Sequence, residues 1–245
     1  MKILVVNDDG YQAEGLKILL DIIKDLGDIY VIAPKEHKSG MSSAITIRKY
    51  LEVQEIAMAN TKKAYYVDGM PADCTRISGE LFKDIKFDFL ISGINEGANV
   101  GSNIMHSGTI GAAVEALHFD LPAIAVSAPY LKYENAKKYT KGIIEVILES
   151  KLLSPHYLLN INFPDSDTKP KGLYFSSQSI NYELNKFEKK GNLFLPIYKR
   201  KEDLDELSDV YGYFNNYITI TPILRSQDDL RLTKELNNRK IDFNI

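Results

Sequence analysis

Five short apolar runs set the frame of this chain: residues 2–6, 29–33, 87–92, 123–127 and 157–163 each read as a strand. They are apolar throughout rather than alternating, which is the pattern of strands covered on both faces. Leu16, Leu19, Leu20, Ile23 and Leu26 repeat at helical spacing until Gly27, and segments 72–81, 109–117 and 133–148 carry helical patterns of their own. Buried strands alternating with helices predict an α/β fold: a doubly wound, mostly parallel, Rossmann-like sheet with helices on both sides.

The pattern changes after about residue 170, where mixed polar and aromatic residues replace the apolar runs. Residues 192–198 read as one arm of a β-hairpin, and 199–209 are strongly charged. Residues 217–221 alternate as a late strand closed by Pro222, and 226–237 form a charged, weakly amphipathic helix. The expectation is one α/β domain over 1–245, with a catalytic core in about 1–170 and a hairpin or arm region in 171–210. Residues 211–245 then supply a late strand and a C-terminal helix suited to docking on a partner subunit.

Composition narrows the function. No stretch approaches the ~20 apolar residues needed to cross a bilayer, so a membrane protein is excluded at this stage. The first apolar run ends on acidic residues, where a secretion signal would need a small-residue cleavage site. Cys74 is the single cysteine, which rules out an internal disulfide and fits a reducing cytoplasm. The net charge of -3 offers no general attraction for long nucleic acid. A small anionic substrate held through a metal remains open.

In open α/β sheets ligands gather at the carboxyl ends of the strands, and three polar loops fall there. They are Asn7-Asp8-Asp9-Gly10, His37-Lys38-Ser39-Gly40-Met41-Ser42-Ser43, and the glycine-rich segment 92–101. Adjacent carboxylates at the end of a buried strand repel, and a hard cation between Asp8 and Asp9 turns that repulsion into coordination. The pair alone is equally compatible with one Asp capping the next helix while the other is solvated. Glycines 93, 97 and 101 are likewise compatible with plain turns. His106-Ser107-Gly108-Thr109 shifts the balance, because Ser and Gly before a helix with small residues in its first turns favour phosphate at the helix N-terminus. Simple N-capping by Ser107 or Thr109 is compatible with the same residues. His106 borders this segment and is a candidate proton donor to a leaving group.

Other chemistries fail on spacing. No two glycines are separated by a single residue and no Gly-Lys pair exists, so neither a dinucleotide fingerprint nor a Walker A loop is present. There is no G-x-S-x-G elbow, and Cys74 lies in a helical context without a nearby His. His37, His106, His118 and His156 lack zinc-site spacing, and His118 and His156 read as structural or surface residues.

With these residues in place, the chain resembles the survival protein SurE family of metal-dependent 5'/3'-nucleotidases. The likeness runs in order through Asn7-Asp8-Asp9-Gly10, Ser39-Gly40, Val67-Asp68-Gly69-Met70-Pro71-Ala72-Asp73-Cys74, Ser92-Gly93-Ile94-Asn95-Glu96-Gly97-Ala98-Asn99, Ser107-Gly108-Thr109 and Asn160-Ile161-Asn162-Phe163-Pro164. Ile218-Thr219-Ile220-Thr221-Pro222 resembles the family's late strand, whereas 171–210 matches loosely. Glu14 stands where members often carry proline, and Met70 replaces a common threonine.

The resemblance implies that Asp8, Asp9, Ser39 and Asn95 hold one divalent cation per subunit, Mg²⁺ or Mn²⁺, with Asp8 and Asp9 as the catalytic pair. It implies a nucleoside monophosphate substrate and a homodimer or homotetramer assembled through the hairpin arm and the C-terminal extension. The expected activity is hydrolysis of 5'- and 3'-monophosphates, extending to short polyphosphate, with Asn99, Ser107, Gly108 and Thr109 around the phosphate. Rival readings are a nucleotide-binding regulatory protein without hydrolysis and a metal-dependent nucleotide-sugar transferase.

Overall fold

The structure, a computed structural model, describes residues 1–180, 186–197, 205–226 and 233–234. The elements that build the site come first along the chain: β1 (Lys2–Val6), α1 (Glu14–Ile23), β2 (Asp28–Pro34), β3 (Val53–Ile56), β4 (Lys63–Val67) and α2 (Pro71–Leu81). β5 (Phe89–Glu96) leads into a 3-10 turn, Gly101–His106, and then α3 (Gly108–His118). β6 (Ala123–Ala128), α4 (Glu134–Glu149), β7 (Tyr157–Asn162) and β8 (Leu173–Phe175) follow. The described chain closes with β9 (Lys186–Lys190), β10 (Leu193–Ile197), α5 (Asp209–Phe214) and β11 (Ile218–Leu224).

The described strands form a nine-stranded sheet in the order β3-β4-β2-β1-β5-β6-β7-β11-β8, and β9 pairs with β10 apart from it. The central pairings are parallel, while β3 on β4 and β11 on β7 are antiparallel. Alternate residues of each central strand enter different cores. Ile3, Val5, Phe89, Ile91, Ile124 and Val126 pack with α1 and α4, while Leu4, Val6, Leu90, Ala123 and Ala125 pack with α2 and α3. Covering both faces explains the unbroken apolar runs and bears out the doubly wound α/β expectation.

From β1 the chain steps outward to β2 and β4, then returns to the other side of β1 as β5 and continues to β6 and β7. The order therefore reverses between β1 and β5. Loops after these two strands diverge there and leave a crevice at their carboxyl ends.

Several boundaries differ from the sequence reading. β5 begins at Phe89 rather than residue 87 and continues through Ile94, Asn95 and Glu96, whose Gly- and Asn-rich sequence reads as a loop. Pairing with β6 resumes at Asn95↔Ser127 after an irregularity that follows Ser92. β3 and β4 carry no long apolar run: β3 reads Val53-Gln54-Glu55-Ile56, an edge strand with no fully buried residue. The helix expected over 226–237 and the end of the expected arm at Tyr198 lie outside the described residues, except for Ser226 and residues 233–234. Among the described residues no helix is long and apolar enough to cross a membrane.

Candidate active site

The crevice is built on the turn that ends β1. Asn7 Nδ2 donates to the Gly10 carbonyl at 2.8 Å, which closes the turn around Asp8 and Asp9. Asp8 is 2% exposed and accepts a hydrogen bond from Thr109 Oγ1 at 2.5 Å. Asp9 Oδ2 accepts from the Glu96 backbone N–H at 3.1 Å, which ties β1 to the end of β5 across the point of reversal. Asp9 Oδ1 is buried without an aligned hydrogen bond, and the His37 Nδ1 atom lies 3.1 Å from it.

Charge is crowded here. Burial and the Asp9 carboxylate push the Asp8 carboxyl up to about 6, against the opposing effect of the Thr109 hydroxyl. Burial also raises Asp9, opposed by the Glu96 amide and His37. The Tyr133 phenol is raised in turn, by burial and by the charges of Glu96 and Asp9.

The N-terminus of α3 comes up against this pair. Ser107 caps the helix, its hydroxyl accepting from the Ile110 N–H at 3.2 Å. Gly108 is required by close approach, since a Cβ there would lie 2.8 Å from Asp8 Cβ and 2.9 Å from Asp8 Oδ2. The Ser-Gly-Thr sequence therefore has a steric reason: only glycine lets the first turn of α3 reach the Asp8 carboxylate. The Thr109 side chain completes the contact.

Residues 35–52, between β2 and β3, contain no helix or strand and bring Ser39 to the same place. Lys38 N donates to the Asp8 carbonyl at 2.7 Å, so Ser39, which is exposed, follows immediately after a direct tie to Asp8. Further along, Ser42 N donates to the His106 carbonyl at 3.0 Å and Ser42 Oγ to the Met105 carbonyl at 2.8 Å. The loop lies so close over α3 that a Cβ on Gly111 would fall 2.2 Å from the Ser42 carbonyl oxygen. His106 itself is exposed.

Asn95, 7% exposed near the end of β5, donates through Nδ2 to the Gly97 carbonyl at 2.7 Å, which leaves Oδ1 as an acceptor. Asn99 is one step removed and belongs to a buried amide network. Its Nδ2 donates to Ser127 Oγ at 3.0 Å and its backbone N–H to Asn162 Oδ1 at 2.7 Å, while its carbonyl accepts from Asn160 and Asn162. The next segment is held from the far end of the chain. Asp209 is fully buried, and its Oδ2 accepts from Gly101 N at 2.9 Å while Oδ1 accepts from Ser179 N and Val210 N.

Direct contacts thus join Asp8 to Gly108 and Thr109, and Asp9 to the Glu96 amide and His37, with Ser39 and Asn95 on adjoining backbone and Ser107 as the cap behind them. Sequence reasoning gave no role to His37, to the Glu96 amide, or to Asp209. A histidine within a loop at the carboxyl edge was a readable signal for the first. The other two contacts span 87 and 108 residues and have no local pattern. Cys74 is fully buried, and burial pushes its thiol well up, so it is no nucleophile.

The donor set suits a hard divalent cation. The Asp9 carboxylate raises the proton affinity of Asp8, and the two carboxylates, with Asp9 Oδ1 facing only His37 among the described residues, adjoin neutral hydroxyl and amide oxygens. Among the described residues no three His, Cys, Asp or Glu side chains gather in one metal-holding group, so neutral oxygens must complete any such set.

Comparison with known proteins places the chain in a family. Residues 3–184 match the model of the family described as Survival protein SurE. The chain is 35% identical over 247 residues to the 5'-nucleotidase SurE of Thermoanaerobacter sp. (strain X514), covering 97% of this chain and 98% of that one. It is also 35% identical over 254 residues to the 5'-nucleotidase SurE of Alkaliphilus metalliredigens (strain QYMF), covering 99% and 100%. The crystal structure of the SurE protein from Aquifex aeolicus superposes with a TM-score of 0.83 at 27% identity, covering 97% of this chain and 98% of that one.

Proposed function

The chain belongs to the survival protein SurE family, and from that premise we propose that it is a 5'-nucleotidase, hydrolysing nucleoside 5'-monophosphates to nucleoside and phosphate. The observation that carries the reading is the meeting of the buried Asp8 carboxylate, crowded by that of Asp9, with the N-terminus of α3. One side of that corner attracts a cation and the other an anion. A phosphate monoester bound through a metal uses both.

Asp8, Asp9, Ser39 and Asn95 would hold one Mg²⁺ or Mn²⁺, which supplies Lewis-acid polarisation of a phosphate oxygen and offsets negative charge. The remaining work falls to the chain. Gly108 and Thr109 open α3, whose free amides and helix dipole favour a phosphate, and Ser107 fixes where that turn begins. Thr109, bonded to Asp8, locks the carboxylate relative to the helix end, so that cation-binding and phosphate-binding groups move as one body. Asn99, braced by Asn160 and Asn162, holds the loop that leads into the 3-10 turn. The β9–β10 hairpin, exposed along both strands, is the surface we assign to assembly into a homodimer or homotetramer.

The test incubates purified protein with 5'- and 3'-monophosphates and short polyphosphate, with Mn²⁺, with Mg²⁺ and with chelator. Metal-dependent phosphate release from 5'-monophosphates is the expected result. Metal-dependent nucleotide binding without release would favour a regulatory binder instead. Transfer to a sugar acceptor would favour a transferase.

A further inference from the structure

We propose that Asp73, in the first turn of α2, is a positioning residue for the loop that carries Ser39. The inference rests on the reading of Ser39 as part of the cation-binding corner and assigns a group outside that corner to its assembly.

Asp73 is 3% exposed and its carboxylate is filled by hydrogen bonds. Oδ2 accepts from Met70 N at 2.9 Å, the reach-back contact that satisfies a free amide at the start of α2. A helix start needs no more than that. Yet Thr46 N lies 2.9 Å from Oδ1 and 3.1 Å from Oδ2, and Thr46 Oγ1 donates to Oδ2 at 2.6 Å. These contacts reach back 27 residues in sequence and land within residues 35–52. Bonds to a buried carboxylate are the strong kind, roughly twice a neutral pair.

The position of Thr46 explains why such an anchor is needed. A segment this long without helix or strand keeps considerable freedom unless it is pinned. The site-proximal ties are neutral: Lys38 N to the Asp8 carbonyl, and the two bonds from Ser42 to the 3-10 turn, of which the hydroxyl bond is exposed. Ser39, Gly40 and Met41 lie between those ties. Thr46 supplies the part-buried, charge-assisted tie on the β3 side, so slack entering from residues 47–52 stops before it reaches Ser42. Asp73 thereby couples the start of α2 to the placement of Ser39 without touching substrate.

The experiment uses the full chain in three forms: wild type, Thr46→Val, which removes the hydroxyl at constant shape, and Thr46→Ser, which keeps it. Two readouts are taken beside thermal melting. One is the rate of tryptic cleavage at Arg48 and Lys49, both exposed in this loop; the other is Mn²⁺ affinity, from the electron spin resonance signal of the free ion. Thr46→Val should raise the cleavage rate by about 10-fold and weaken Mn²⁺ binding several-fold with little change in melting temperature, and Thr46→Ser should restore both. In an Asp73→Asn background, Thr46→Val should add nothing further to the cleavage rate. Cleavage and Mn²⁺ affinity both at wild-type values would overturn the proposal, as would faster cleavage with unchanged Mn²⁺ affinity. Mn²⁺ binding that is absent, or indifferent to Asp8→Asn, would instead fail the underlying cation reading and remove this inference with it, an outcome distinguishable because it appears before any Thr46 variant is made.

Discussion

The crevice between β1 and β5 and the β9–β10 hairpin are opposites in how they treat their side chains. In the crevice, polar groups are buried and held: Asp8 by Thr109, Asp9 by the Glu96 amide, Gly101 by Asp209. In the hairpin every strand residue is exposed, including Phe187, Leu193, Phe194, Leu195 and Ile197. One region spends burial on charge and the other leaves apolar surface in water. Both arrangements are costly for an isolated chain, and each suits an occupant proposed above: a cation and phosphate for the crevice, another copy for the hairpin.

Four experiments sharpen or break that contrast. Asp8→Asn keeps the shape of the turn and removes its central charge, so phosphate release from a 5'-monophosphate at saturating Mn²⁺ should fall by at least ~10³-fold. A steady-state assay checks it, and retention of most activity would dissolve the contrast. Gly108→Ala forces a methyl against the Asp8 carboxylate and should cost about 10²-fold in kcat/KM while the circular dichroism spectrum is unchanged.

The third concerns stability in chelator. The Asp8 carboxyl is pushed up to about 6 from 3.8, so the folded chain holds that proton more tightly than the unfolded one. The contribution is fully present below about pH 4 and is lost as pH rises through about 6, on the order of 3 kcal/mol in all. Urea unfolding at pH 5 and pH 7 should show wild type losing more stability than Asp8→Asn over that interval, and equal losses would sink the assignment. Last, Phe187→Glu combined with Phe194→Glu should lower the mass measured by light scattering while leaving kcat within about 2-fold, because these rings share one exposed face of a hairpin that pairs apart from the main sheet.

How legible each region was follows from the range of its interactions. Asp8, Asp9 and Ser107-Gly108-Thr109 could be read because a short strand, its turn and a helix start are local patterns. Their meeting followed from the rule that ligands sit at the carboxyl edge of such sheets. The extension of β5 through Gly93-Ile94-Asn95-Glu96 could not be read, since Gly and Asn mimic a turn and only pairing with β6 reveals a strand. β3 was hidden by its lack of buried side chains, and β4 by tyrosines that alone do not separate strand from loop. The Thr46–Asp73 and Gly101–Asp209 contacts were invisible for a stronger reason. Each joins an irregular segment to a distant carboxylate, and no periodicity encodes such a pairing.

The last of those contacts has a consequence for synthesis. Every proposed ligand and phosphate-binding residue lies at or before Thr109, but Asn99 is held by Asn160 and Asn162 and Gly101 by Asp209. A polypeptide emerging from the ribosome therefore carries all of its reactive groups while the segment that must aim them is still unbraced. Competence arrives with the closing strands rather than with the final reactive side chain, and a chain interrupted midway holds the chemistry without the means to direct it.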